Sequence, residues 1–66
     1  MSQNTRKFCQ RQLDFAIGNV NAAGEKLEGV IQIYEPQHPE VSQPLVTIQT
    51  VLIEVLREIE LVKRIF

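Results

Sequence analysis

Apolar residues recur at alternating steps of three and four in two long stretches of this 66-residue chain. This heptad spacing places them along one side of an α-helix that packs lengthwise against another helix. The seam of the first stretch comprises Cys9, Leu13, Ala16, Val20, Ala23, Leu27, Val30 and Tyr34. The seam of the second stretch comprises Leu45, Ile48, Leu52, Val55, Ile59, Val62 and Phe66. The pattern therefore predicts an all-α fold.

Two prolines, Pro36 and Pro39, separate the two stretches. Proline lacks an N–H donor and disfavours helix in the residue before it, so these two residues predict a loop over residues 35–43. The first helix is then expected over about residues 5–34, and the second over about residues 44–65. Since the connection is short, the helices are expected to lie antiparallel, as a hairpin that forms one domain.

Two alternatives stay open for parts of this hairpin. Glycine costs about 1 kcal/mol relative to alanine inside a helix, and the first helix contains three glycines, so a kink near Gly24 competes with a continuous helix. The second stretch is rich in β-branched residues, which favour strands. A strand over residues 46–56 is nevertheless disfavoured, because the alternation of apolar and polar residues fails at Val51-Leu52-Ile53.

The second stretch is apolar over more of its circumference than one neighbouring helix covers. A chain of this length buries only about 60% of its unfolded surface by folding alone. One cysteine excludes a disulfide within the chain, so a partner chain is the expected source of further burial. We predict assembly into a four-helix bundle, with a homodimer favoured, or into a larger helical oligomer, and another helical protein remains the alternative partner. The expected interface residues are Leu13, Val20, Leu27, Leu45, Ile48, Leu52, Ile53, Leu56, Ile59 and Val62.

Charge and composition exclude several function classes. The net charge is −1, and the chain has four aromatic residues, so nucleic-acid binding is not expected. The most apolar stretch, residues 45–66, carries six charged side chains, which predicts that it does not span a membrane. A lone thiol is typical of a reducing compartment, so a cytoplasmic location is expected.

No catalytic or metal-binding motif is present in the sequence. A nucleophile needs a base within hydrogen-bond reach, and the hairpin places Cys9 and His38 at opposite ends. Glu54 and Glu58 lie one turn apart, but the Glu-x-x-His partner motif of carboxylate metal sites is missing. We therefore expect no enzymatic activity, no cofactor and no metal ion.

Basic residues concentrate where the first helix begins and the second ends. An antiparallel hairpin brings these ends together, and clustered basic residues bind phosphate groups or acidic surfaces. The candidate ligand-binding residues are Arg6, Lys7, Phe8, Arg11, Lys63 and Arg64.

Three functional hypotheses follow, of which the last in rank is an enzyme that a contact between Cys9 and His38 in an oligomer would support. The first is a small non-enzymatic interaction protein, a homo-oligomeric helical adaptor, inhibitor or structural subunit that acts through its apolar helix faces. The second is an oligomeric sequestering protein, which binds a nucleotide-like, phosphate-bearing small ligand in basic pockets at its subunit interfaces. A helical hairpin with a heptad seam is too generic a pattern to indicate a family, and fold alone does not imply function.

Overall fold

Two long helices form an antiparallel hairpin in the computed structural model, which describes residues 2–66. Helix α1 spans Gln3–Tyr34 and helix α2 spans Pro39–Ile65. Together they form a rod with extents of 53 × 15 × 11 Å. Within residues 2–66 there is no β-strand. The predicted all-α helical hairpin is therefore confirmed.

Helix α1 begins two residues before the predicted start, because Ser2 provides the N-terminal cap. The Oγ of Ser2 accepts a hydrogen bond from the backbone N–H of Thr5 at 3.1 Å. A side-chain oxygen at this position satisfies a backbone donor that has no partner within the helix. From there α1 continues through Gly24 as one element, and it ends at Tyr34, just before Glu35 and Pro36.

Helix α2 begins at Pro39, so the predicted loop over 35–43 and helix start at 44 need correction: the connection is only residues 35–38. Pro39 takes the first helical position, where a missing N–H leaves no hydrogen bond unmade. Pro44 lies inside the helix, in the second turn. There its ring removes the hydrogen bond that an ordinary residue donates to the carbonyl of Glu40.

The longer α2 also changes how the two helices overlap. Helix α1 has 32 residues and α2 has 27, so at 1.5 Å per residue α1 is only about 8 Å longer. The predicted bounds, residues 5–34 and 44–65, would make α1 about 12 Å longer. The open end of the hairpin is where α1 begins and α2 ends. The two helices therefore end closer to the same level there than expected.

Each helix touches the other along a stripe that differs from its predicted seam. On α1 the buried and half-buried residues include Leu13, Ala16, Ile17, Val20, Gly24, Leu27 and Ile31. On α2 they include Ser42, Leu45, Gln49, Leu52, Leu56, Ile59 and Lys63, and Phe66 directly after the helix is also half-buried. At two positions of the first seam and three of the second the contact moves to the next residue: Ala23, Val30, Ile48, Val55 and Val62 are exposed while their successors are covered. At a further position of the first seam, Ala16 stays in the contact and is joined by Ile17.

The contact is tightest near the turn. Ile31 is 3% exposed and Ser42 is 5% exposed, and these are the buried residues of the described chain. Full burial of an isoleucine side chain contributes about 1.5–3 kcal/mol. Towards the middle of the rod the contact is partly polar, since Gln49 donates to the carbonyl of Gly24 at 3.2 Å and to Glu28 Oε2 at 3.1 Å.

The glycines of α1 do not serve close packing within the chain. A Cβ built on Gly18, Gly24 or Gly29 meets no atom within 4 Å. Gly18, Ala22 and Gly29, three small residues of α1, are exposed in the hairpin.

We expect Gly18→Ala to stabilise the protein by about 0.5–1 kcal/mol, because alanine loses less backbone entropy in a helix and meets no steric clash here. Urea unfolding at fixed protein concentration measures the change. The matched control is Ala22→Gly on the same exposed side, which should lower stability by a similar amount. A destabilising Gly18→Ala would show that a neighbouring backbone approaches this position.

Candidate functional site

The two sides of the hairpin, left and right of the helix contact, differ in chemistry. One side holds an open groove of about 480 Å³ whose lining includes Asn21, Glu25, Glu28, Gln49 and Ile53. On both helices the outer lining residues directly follow a contact residue: Asn21 follows Val20, and Ile53 follows Leu52. Residues that directly precede a contact residue therefore lie on the opposite side of the hairpin, since one step along a helix turns about 100°.

That opposite side carries an exposed apolar surface, which we call the apolar face. It comprises Ala23, Val30, Ile48, Val51, Val55 and Val62, all exposed. Four of these six residues belong to α2, where the stripe is interrupted by Glu58. On α1 the same side is mixed, because Gln12, Asn19 and Lys26 alternate with the small and apolar residues. Exposed apolar surface of this kind is typical of a protein-interaction site.

The ten residues predicted at an oligomer interface fall into three groups. Seven are half-buried in the contact between α1 and α2: Leu13, Val20, Leu27, Leu45, Leu52, Leu56 and Ile59. Ile48 and Val62 lie on the apolar face, and Ile53 lines the groove on the other side. One partner surface on the apolar face therefore reaches Ile48 and Val62 directly and leaves Ile53 uncovered.

The basic residues predicted to bind an anionic ligand all lie at the open end of the hairpin. Arg6, Lys7, Arg11 and Arg64 are exposed, as is Phe8. Lys63 differs from them, because it lies in the helix contact and its ammonium group is paired with the carboxylate of Asp14 on α1. That pair removes one cation from the predicted site and ties the end of α2 to α1. Ligand binding by the remaining cluster stays a prediction.

The same pair changes the titration of Lys63. The hydrogen bond to Asp14, followed by the attraction between the two charges, raises the pKa of Lys63 above its ordinary value of 10.5, and Glu60 adds a smaller attraction. A raised pKa in the folded state means that the pair's stabilisation is fully present below pH 10.5. It is lost as the pH rises through the pKa of the folded state.

We expect Asp14→Asn to lower the pKa of Lys63 in the folded protein towards 10.5, because the strongest cause of the rise is gone. The ¹³Cε chemical shift of Lys63, followed by NMR between pH 8 and pH 12, measures it. Glu60→Gln is the matched control and should move the pKa less than Asp14→Asn does. An equal effect of both substitutions would show that Lys63 senses the general charge of the open end rather than Asp14.

The structure does not bring together the residues that the sequence offered for nucleophilic catalysis or metal binding within residues 2–66. Cys9 and His38 are separated by most of α1, about 38 Å by helix rise from Cys9 to Tyr34, so they do not meet within one chain. His38 instead contacts Glu40 through Nδ1 at 3.0 Å. In residues 2–66 no three His, Cys, Asp or Glu side chains are grouped so as to hold a metal ion. Neither α1 nor α2 has the length and apolarity needed to cross a membrane.

No family model, curated protein or solved structure matches this chain.

Sequence reasoning missed two residues that shape these surfaces. Asp14 is the single aspartate of the chain, and its position opposite Lys63 depends on which turn of α1 lies beside the end of α2. Gln49 was not considered as a contact residue because the seam was chosen by apolarity. The signal that was available is spacing, since Gln49 lies four residues after Leu45 and three before Leu52.

Proposed function

We propose that this chain is a small non-enzymatic interaction protein that assembles with copies of itself through the apolar face. In that assembly it serves as a helical adaptor, inhibitor or structural subunit. The observation that carries the proposal is a partial offset between the apolar seam and the contact stripe: Ala23 and Val30 on α1, and Ile48, Val55 and Val62 on α2, lie outside the contact. It leaves Ile48, Val51, Val55 and Val62 in a row on the outside of α2.

A self-assembling helix pair explains this offset physically. In a four-helix bundle each helix has two neighbours, so its apolar stripe points between them rather than straight at either one. Both stripes in this hairpin turn away from the intrachain contact in the same direction, towards the apolar face. A second layer of helices on that face would bury the centre of both stripes.

Two features fit a cytoplasmic interaction protein. The chain has one thiol, Cys9, and an unpaired cysteine suits a reducing compartment. The groups that nucleophilic catalysis requires are separated along the rod. We therefore assign the function to surfaces rather than to a reaction centre.

The apolar face has a closely matched control on the same helix. Val51 is 55% exposed and Ile53 is 58% exposed, and they lie two residues apart on opposite sides of the hairpin. Val51→Glu places a charge on the apolar face, whereas Ile53→Glu places the same charge beside the groove. Burying an unpaired carboxylate at an interface is costly, so only the first substitution should oppose assembly.

We expect the unmodified chain to show a solution mass above that of one chain, Val51→Glu to lower it, and Ile53→Glu to leave it unchanged. Light scattering over a dilution series, with helix content followed by circular dichroism, measures both. The midpoint of thermal unfolding should also rise with the concentration of the unmodified chain, which keeps the test decisive if Val51→Glu fails to fold. A stable folded monomer of 7.6 kDa at every concentration would overturn self-assembly.

A further inference from the structure

We infer that the apolar face is covered by one second copy of this chain in antiparallel alignment, with the turns of the two hairpins at opposite ends of the dimer. This inference rests on the proposed function and goes further by fixing the number of copies and their orientation. Three observations support it. They are the exposed surface area of the chain, the residues that the antiparallel alignment brings together, and the distribution of charge along the rod.

The area indicates one partner copy. The chain exposes 5100 Å². A compact monomer of 7.6 kDa exposes about 4,300 Å² by the general scaling of surface with mass, so this rod exposes roughly 800 Å² more. A standard protein interface removes about 800 Å² from each partner. One interface of that size per chain is enough to remove the excess, whereas a closed ring of three or more copies needs two interfaces on each chain.

Two-fold symmetry allows two ways to stack the apolar faces of two hairpins. If the axis runs along the rods, both turns lie at the same end, and α1 of each chain packs on α2 of the other. If the axis runs across the rods, the turns lie at opposite ends, and each helix packs on the same helix of the partner. In both cases the contact is isologous, with the same patch used by both copies.

The composition of the apolar face favours the axis across the rods. That arrangement packs the row of Ile48, Val51, Val55 and Val62, which Glu58 interrupts, against the same row of the partner, so that most of the facing side chains are apolar. It also leaves the mixed stripe of α1 facing itself. The other arrangement presses Asn19 and Lys26 of α1 against the valines of α2, and burying such polar groups without partners is unfavourable.

The charges favour the same choice. The open half of the hairpin, residues 2–18 and 53–66, has six basic and four acidic side chains. The turn half, residues 19–52, has one basic and four acidic side chains. Antiparallel alignment places each positive half beside a negative half. Packed helices lie about 8–10 Å apart, which is close to the Debye length at physiological salt, so these charges still interact.

Distances between identical spin labels on the two copies separate the two alignments. In a Cys9→Ser background, Gln37→Cys places a label in the exposed turn, and pulsed electron paramagnetic resonance measures the separation between copies. We expect a distance close to the 53 Å length of the rod for antiparallel turns. Turns at the same end give less than about 20 Å, the width of two packed helices. The unmodified chain, labelled at its own Cys9, gives an independent reading that is expected near 30 Å by helix rise.

The outcomes distinguish this inference from the proposed function. A solution mass of two chains with a long Gln37→Cys distance supports both. Two chains with a short distance at both label positions would overturn the antiparallel alignment and leave self-assembly standing. A mass of three or more chains would overturn the single partner, and a monomer would overturn self-assembly itself.

Discussion

Everything else in this structure depends on the angle between the apolar stripe of each helix and the line of contact with its neighbour. Part of each seam lies in the contact, but at other seam positions the following residue takes that place, so Gly24, Ile31, Gln49, Leu56 and Lys63 lie in the contact. Their predecessors are exposed. One residue step is a turn of about 100°, enough to move a side chain from the contact to the side of the rod. The hairpin therefore buries part of its apolar surface and displays another part, including Ile48, Val51, Val55 and Val62, on the apolar face.

The polar residues Gln49 and Lys63 lie in the contact between α1 and α2, and their polar groups have hydrogen-bond or ion-pair partners there. Gln49 satisfies its amide through Gly24 and Glu28, and Lys63 reaches the carboxylate of Asp14. Both side chains are long and partly exposed, so their stems cover the neighbouring helix while their polar ends remain near water. The contact is therefore amphipathic and leaves the valines of α2 for the apolar face. Ile31 and Ser42, near the turn, form its one tightly closed point.

How far the sequence could predict this structure differs from element to element. Helix type followed from spacing, because Leu13, Val20 and Leu27 recur at a period that only a helix brings to one side. The start of α2 did not follow, because Pro39 and Pro44 both suit a first helical turn, and local rules do not choose between them. The extra turn carries Ser42, which is buried in the hairpin, and that burial is a tertiary effect that local rules do not report. The ion pair of Asp14 and Lys63 was missed for a related reason, since it depends on the register between two helices.

The sequence by itself determined that this chain forms two helices, that they fold back on each other, and that their apolar surface exceeds what two helices can cover. Periodicity, proline chemistry and chain length are local or additive properties, and they can be read along the chain. The tertiary structure decided which side of each stripe meets the neighbouring helix and which side is left outside. That choice is made by the packing of Ile31, Ser42 and Gln49 at a fixed register, and register is a property of two helices together.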